Sequence, residues 1–370
     1  MTVAQPASQS TAVTPSAGDP RITWVPPPGG LLGLSLLNGV LRILTLGVYH
    51  FWGKTEVRQR IWSAIRVDGE PLEYRGTGGE LFRGFLVVFG VILLPLGLMS
   101  FLAPLLLGPN NAVQGLYNLA FWLLVFLLSG FGIHRARRYR LSRTRWRGIR
   151  GGLSGASSTF AWAYLWTTVL VPFTLGWILP WRAVHLQRLL FNDTRFGDKA
   201  FAFTGNAGPL YKRFWLVWVG GIALIIAASG AIFLQIAPDG RTFARPSMSP
   251  GKVAPILAIL FVAFLLFAII RAWYSARVLN YFAEQTTFQG AGFKLDAGAG
   301  SLVWLTATNY LITMLSLGFL SPIAEARSMR YIIDRLSIEG PVPFERVGQN
   351  PDALLSRGEG LAEAFNVDAF

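Results

Sequence analysis

Seven long apolar segments restrict the folds open to this chain more than any other feature. They run over residues 31–52, 84–107, 116–133, 158–181, 214–236, 255–270 and 301–321. A helix needs about twenty apolar residues to cross a bilayer, and most of these segments are long enough. Only 14% of the 370 residues are charged and 52% are hydrophobic, which leaves too little polar surface for soluble domains. The sequence therefore predicts a multi-pass membrane protein.

The charge is strongly basic and lies between the apolar segments. The chain has 33 Lys and Arg against 19 Asp and Glu, a net charge of +14. In a membrane protein, such an excess marks connections held on the cytoplasmic side, beside anionic headgroups. We therefore expect membrane lipids, anionic ones above all, as partners. Two aromatic residues, Tyr139 and Trp146, lie among the arginines from Arg135 to Arg150, a combination that can also bind nucleic acid. Because this stretch follows a membrane helix, we expect anionic lipid there and no nucleic acid.

No sequence pattern predicts catalysis. The chain has no cysteine and three histidines that are far apart in the sequence, so thiolate metal sites and thiol nucleophiles are excluded. The glycine-rich run at 76–79 lacks the Lys-Ser/Thr ending of a phosphate-binding loop. Zinc-ligand spacings, a hydrolase elbow and kinase motifs are also absent. We expect no enzymatic activity, no cofactor and no metal.

A short motif ends three of the apolar segments. It is Thr-Leu-Gly at 45–47 and 174–176, and Ser-Leu-Gly at 316–318. A basic, helix-like stretch follows each motif, and the motif glycines are candidate hinges: Gly47, Gly176 and Gly318. The first two copies continue to match as far as Gly76 and Gly205, at the same spacing. Such self-similarity predicts an internal repeat.

A second module strengthens the repeat. The stretch from Arg135 to Gly148 matches the stretch from Arg277 to Gly290 at its Arg, Tyr, Thr, aromatic and Gly positions. We predict an all-α multi-pass membrane protein with two copies of a three-segment helical unit, a partial third, and short strand-like cytoplasmic pieces. The predicted units are a disordered tail (1–28), the first repeat (29–157), the second repeat (158–300), the partial third (301–349) and a C-terminal tail (350–370).

The motifs together resemble a known family. The Thr-Leu-Gly turn, a Pro-Trp segment end such as Pro180-Trp181, spaced arginines and an aromatic-Gly strand are similar to the YjgN-like family of bacterial inner-membrane proteins. The first copy departs from this pattern, with His50-Phe51-Trp52 at the segment end, and the third has Pro322 without a tryptophan. The resemblance implies a multi-pass protein of the bacterial inner membrane with basic loops in the cytoplasm. The family has no known function, so the resemblance supplies no substrate.

Two topologies are compatible with the repeats. If all seven segments cross the membrane, 22 Lys and Arg lie on one side and 10 on the other. If the three segments that end in the motif re-enter without crossing, the division is 29 against 3, which the positive-inside rule favours. Gly39, Pro172 and the motif itself are the predicted break points.

Four polar residues within the apolar segments are candidates for a polar membrane site. Asn38, Thr167 and Asn309 each lie nine residues before a motif glycine. They either form a shared site at the repeat interface, as in transporters, or make hydrogen bonds that only fix helix packing. Arg42 either pairs with an anion or extends to the interface.

The ends of the basic modules are candidates for lipid-headgroup contacts. An arginine precedes a tyrosine by four residues in three places, which puts both on one helical face. The alternative is that these faces pack within the protein, with arginines paired to Glu73, Glu80 or Glu284. The candidates are Arg135, Arg138, Tyr139, Arg277, Tyr281, Arg327 and Tyr331.

Two classes of function follow from the sequence. One is a transporter or channel in which broken segments enclose a small polar or anionic solute. The other is a membrane-bound scaffold whose basic cytoplasmic faces bind lipid or a partner. The repeat favours the first class, and the lack of acidic residues within the apolar segments favours the second.

Overall fold

The computed structural model describes residues 20–108, 111–236 and 250–349. Most of the two predicted tails therefore lies outside the described residues. The described part is mostly helical. Its α-helices are α1 (Leu32–Leu44), α2 (His50–Ala64), α3 (Gly78–Val88), α4 (Leu94–Leu107), α5 (Asn111–Arg143), α6 (Ser157–Phe173), α7 (Leu179–Asn192), α8 (Gly208–Ile236), α9 (Pro250–Glu284), α10 (Ala299–Leu315) and α11 (Ser321–Ile333).

Four helical stretches are long and apolar enough to cross a membrane. A π-helical turn at Phe89–Leu93 joins α3 to α4, which makes Gly78–Leu107 one continuous helix. The other three are Ala112–Arg143, Gly208–Gln235 and Val253–Glu284. All four extend beyond the apolar runs seen in the sequence, because helices continue into the headgroup region, where polar side chains are tolerated.

The remaining apolar segments are shorter helices, each followed at once by a basic helix that packs against it. We call α1 with α2 hairpin 1, α6 with α7 hairpin 2, and α10 with α11 hairpin 3. Each is interrupted at the Thr/Ser-Leu-Gly motif, as the sequence predicts. Gly39 is not a break point, however, because α1 continues through it, and Pro172 lies in the last turn of α6 without ending it.

The motif closes each hairpin with the same set of backbone hydrogen bonds. In hairpin 1, Leu46 and Gly47 both have positive φ, of 51° and 92°. The Gly47 N–H donates to Arg42 O at 2.7 Å and the Leu46 N–H to Ile43 O at 3.1 Å, a Schellman motif. The Thr45 hydroxyl then accepts from the Tyr49 N–H. These bonds satisfy the backbone at the hairpin tip.

The strands are short and follow the basic ends of the helices. The bounds are β1 (Ile22–Trp24), β2 (Ile65–Val67), β3 (Glu70–Pro71), β4 (Glu73–Tyr74), β5 (Thr144–Trp146), β6 (Ile149–Leu153), β7 (Thr194–Phe196), β8 (Lys199–Phe203), β9 (Thr286–Phe288), β10 (Ala291–Leu295) and β11 (Leu336–Glu339). Strands β4 to β11 pair in chain order in one eight-stranded antiparallel sheet, and β1, β2 and β3 form a second sheet.

The sheet makes the predicted all-α class too narrow. Short strands are present, as the sequence predicts, but strands of two to five residues do not reveal which segments pair with one another. Pairing between distant segments creates the sheet: Leu153 pairs with Thr194, and Phe203 with Thr286. The strands thus join the helical modules at one end of the molecule.

Hairpins 1 and 3, which lie near the two ends of the described chain, are in contact. Leu34, Val57 and Ile61 of hairpin 1 share a buried apolar cluster with Ala326 of hairpin 3. Strand β1 lies in contact with α11 and β11. Hairpins 1 and 3 are therefore neighbours. The helical modules, which are the three hairpins and the two pairs of long helices, form a ring.

Candidate functional site

The predicted polar residues of hairpins 1 and 3 join the two helices of their own hairpin. The Asn38 side-chain amide donates to Gly53 O on α2 at 3.4 Å. In hairpin 3, the Asn309 amide donates to Ala324 O at 3.1 Å and to the Ser328 hydroxyl at 3.0 Å. Both asparagines thus bond within a hairpin.

Hairpin 2 replaces this contact with a different pair. Thr167 is fully buried, and its hydroxyl donates to Ala163 O on its own helix. Arg182 lies six residues after the motif glycine, where hairpins 1 and 3 have Gly53 and Ala324. Its guanidinium donates to the Thr168 hydroxyl at 3.0 Å and lies over the ring of Tyr164.

In the described part of the chain, no hydrogen bond joins Asn38, Thr167 and Asn309 to one another. The Oδ1 atoms of Asn38 and Asn309 are both buried there without a hydrogen-bond partner. Hairpins 1 and 3 do touch, because the ring of Phe319 packs directly against Gly39. Arg42 lies exposed in the last turn of α1.

The candidate hinge glycines all lie at the hairpin tips. Gly47, Gly176 and Gly318 have φ values of 92°, 81° and 85°. The residue before each is a leucine in the left-handed region, a conformation that costs a non-glycine residue roughly 1 kcal/mol or more. These leucines are also among the most exposed residues: Leu46 is 95%, Leu175 73% and Leu317 88% exposed.

Tyr139 lies inside the protein rather than at its surface. It is only 1% exposed, and its hydroxyl donates to Glu80 Oε2 at 2.6 Å. The other carboxylate oxygen of Glu80 accepts from Arg143 at 2.7 Å. Glu80, near the start of α3, is half-buried, with 31% of its side chain exposed, and its internal bonds connect α3 to the end of α5.

The other two predicted tyrosines make corresponding contacts. The Tyr281 hydroxyl bonds to the backbone N and O of Asn206, just before α8. The Tyr331 hydroxyl bonds to Ser301 and to Gly298 O at the start of α10. In each case, a tyrosine near the end of one helix bonds to the start of the helix packed beside it.

The predicted lipid-contact arginines differ in their exposure. Arg135 and Arg277 are exposed and Arg138 is half-buried. Arg327 is half-buried and donates to Thr308 at 3.0 Å. Lipid contact by these arginines stays a prediction.

Burial and nearby cations shape the electrostatics of the basic ends. Burial raises the pKa of Tyr74, and the neighbouring cations Arg58 and Arg140 lower it. The His185 ring stacks on Trp181 at 4.7 Å. Burial and then the Arg188 cation lower the pKa of His185.

Sequence reasoning did not find a cleft of about 300 Å³ between the start of α8 and the end of α9. Its lining includes the cations Lys212, Arg213 and Arg277. Arg277 and Tyr281 of this lining were candidates beforehand, and the basic pair after Pro209 was the available signal for the rest. Within the described ranges, no cluster of three metal-ligating side chains occurs.

Comparisons with known proteins agree with the membrane architecture. The family model for a bacterial protein of unknown function (DUF898) matches residues 28–364. The inner membrane protein YjgN of Salmonella typhimurium (strain LT2) is 22% identical over 191 residues, which is 50% of this chain and 45% of that protein. The chain thus aligns with less than half the length of this relative. No solved structure matches.

The family match covers most of the sequence and confirms the resemblance seen in the motifs. The four long apolar helices fit the membrane location that the relative's name states. The chain is a membrane protein that belongs to the DUF898 family, the YjgN-like bacterial proteins of unknown function.

Proposed function

We propose that the protein is a platform embedded in the bacterial inner membrane. Four helices cross the bilayer, three helical hairpins enter it from the cytoplasm and return, and the basic face above them binds anionic lipid headgroups. The observation that carries this proposal is the single sheet of β4 to β11.

One sheet cannot have the bilayer between its strands. Strand β6 precedes hairpin 2 and pairs with β7, which follows it. Strand β10 precedes hairpin 3 and pairs with β11, which follows it. Likewise β1 precedes hairpin 1 and pairs with β2. Each hairpin therefore begins and ends on one side, and the four remaining helices cross in two pairs.

The repeated unit is part of the proposal and is supported by matching contacts. Gln59 donates to Gly76 O, and Arg188, at the same distance from its motif glycine, donates to Gly205 O. A Cβ added to Gly76 would meet the ring of Tyr74, and one added to Gly205 would meet the ring of Phe203.

The hairpin tips suit insertion into lipid. Leu46, Leu175 and Leu317 are exposed at the tips, while the backbone around them is hydrogen-bonded. Apolar side chains over a satisfied backbone are what the lipid just below the headgroups accepts. On this topology the basic residues collect on the strand side, which the positive-inside rule makes cytoplasmic.

The test is the lipid that the full chain retains when extracted from its native membrane in mild detergent. We expect enrichment of phosphatidylglycerol and cardiolipin over phosphatidylethanolamine, since each basic residue near the surface contributes about 1 kcal/mol. Changing Arg135 and Arg138 to Gln should reduce that enrichment. The matched control changes Arg75 and Lys294 to Gln, because both are exposed and ion-paired. No enrichment in the native chain, or equal loss in the control, would contradict the proposal.

Transport of a small polar solute is the second candidate. It is favoured by the amide oxygens of Asn38 and Asn309, which are buried and have no hydrogen-bond partner among the described residues; a passing solute would satisfy them. Solute flux in proteoliposomes that Asn38→Leu abolishes, with lipid enrichment unchanged, would support transport instead.

A further inference from the structure

Three cations line the cleft between α8 and α9. Lys212 and Arg213 come from the second turn of α8, and Arg277 from α9. None of the three makes a hydrogen bond or ion pair within the described residues. One carboxylate, that of Glu284, also lines the cleft, which leaves an excess of positive charge.

A buried donor without a partner also lines the cleft. The hydroxyl of Tyr274 is buried and has no hydrogen-bond partner within the described part. Leaving such a group unsatisfied costs roughly 1–3 kcal/mol. A ligand with acceptor oxygens would satisfy this hydroxyl and the cations together.

The first half of the chain shows what occupies the corresponding place. Counting from Gly76 and Gly205, Pro209 stands where the first half has Glu80. Counting back nine residues from Gly148 and Gly290, Tyr281 stands where the first half has Tyr139. In the first half, the Glu80 carboxylate accepts from Tyr139 and Arg143. In the second half Pro209 has no charge to offer, and the cleft remains open.

The cleft also lies at headgroup depth. Trp215 and Trp218 follow Lys212 and Arg213 by about one turn on α8, and Trp177 packs against Trp218. Tryptophans concentrate at membrane–water interfaces, so these rings place the cations at the level of lipid phosphates.

We infer that the cleft lined by Lys212, Arg213, Arg277 and Tyr274 binds one phosphate group, that of an anionic lipid headgroup in the membrane. The external phosphate supplies negative charge beside Pro209, the position that Glu80 holds in the first half. This site rests on the proposed function and locates its anion binding at one position.

The test is a titration of the delipidated full chain, in dodecyl maltoside, with dihexanoyl phosphatidylglycerol. Dihexanoyl phosphatidylcholine, whose phosphate is neutralised by a choline cation, serves as the zwitterionic comparison, and inorganic phosphate as the free-anion comparison. We expect saturable binding of the phosphatidylglycerol, weaker binding of the phosphatidylcholine, and roughly fivefold weaker phosphatidylglycerol binding after Arg277→Gln.

The decisive variant is Pro209→Glu, which supplies the missing internal anion. A glutamate in the first turn of α8 is favourable for the helix, so the variant should fold, and an unchanged thermal unfolding transition checks this. We expect it to weaken phosphatidylglycerol binding by roughly tenfold or more, since like charges repel. Arg83→Gln is the matched control, because Arg83 is exposed and holds the place of Lys212 in the first half.

The outcomes separate this site from the wider proposal. Native binding that Pro209→Glu and Arg277→Gln leave unchanged overturns the cleft alone. A native chain without preference for phosphatidylglycerol overturns the proposed function as well. If inorganic phosphate binds as tightly as the lipid and shows the same losses, the phosphate site stands and its source is free phosphate.

Discussion

Replacing Glu80 with alanine is expected to lower the free energy of unfolding by about 3 kcal/mol. The carboxylate accepts from the Tyr139 hydroxyl and from Arg143. The side chain of Arg143 is only 14% exposed, so its charge would be left in a poorly hydrated place. Tyr139 would lose its bond in the interior as well. Thermal or urea unfolding of the chain in detergent measures the loss.

The matched control for Glu80 is Glu73→Ala. Glu73 also pairs with an arginine, Arg75, but both side chains are more than half exposed. Exposed ion pairs contribute roughly 0–1 kcal/mol, so this variant should unfold nearly like the native chain. Similar losses for the two variants would mean that the internal position of Glu80 has no special role.

Replacing Gly39 with leucine is expected to separate hairpins 1 and 3. The ring of Phe319 occupies the space that a side chain at position 39 would need. Forcing atoms into a packed contact costs roughly 1–3 kcal/mol, and here it also disturbs the closure of the ring of modules. We expect a lower unfolding temperature, measured by thermal unfolding, and faster cleavage of hairpin 3, measured by limited proteolysis.

Two further variants test whether that contact is the cause. Gly33→Leu is the control on the same helix, because a side chain at Gly33 meets nothing within 4 Å. Phe319→Ala combined with Gly39→Leu should recover part of the lost stability, since the alanine makes room. Equal damage from Gly33→Leu, or no recovery in the double variant, would place the effect elsewhere.

The hairpins could be predicted from the sequence because their signals are local. Thr45 supplies the capping hydroxyl, and Leu46 and Gly47 are the two left-handed residues of the turn. The sheet could not be predicted in the same way, since β4 is only Glu73–Tyr74 and its partner β5 lies beyond two long helices. Asp68-Gly69, with positive φ at both residues, was the one strong hairpin signal.

The candidate site, like the fold, could be predicted only where its residues lie close together in the sequence. The four-residue spacing of Arg135 and Tyr139 correctly gave a shared helix, but the burial of Tyr139 depends on Glu80, a distant residue in the sequence. The role of Gly39 was also hidden, because only the closure of the ring brings Phe319 to it. The cleft near Pro209 emerges from the packing of two long helices.

Labelling of single cysteines in the naturally cysteine-free chain tests the topology most directly. The strand side is represented by Glu70, Ala202 and Lys294, which are exposed and lie on three different strands. The opposite end is represented by the exposed residues Ala112 and Gly251. We expect an impermeant maleimide to label Ala112→Cys and Gly251→Cys in intact spheroplasts, and the three strand-side cysteines only after permeabilisation. Glu70 lies on β3, three residues before β4 begins, so labelling of Glu70→Cys and Ala202→Cys from opposite faces would contradict a common side for the two sheets and the re-entrant hairpins.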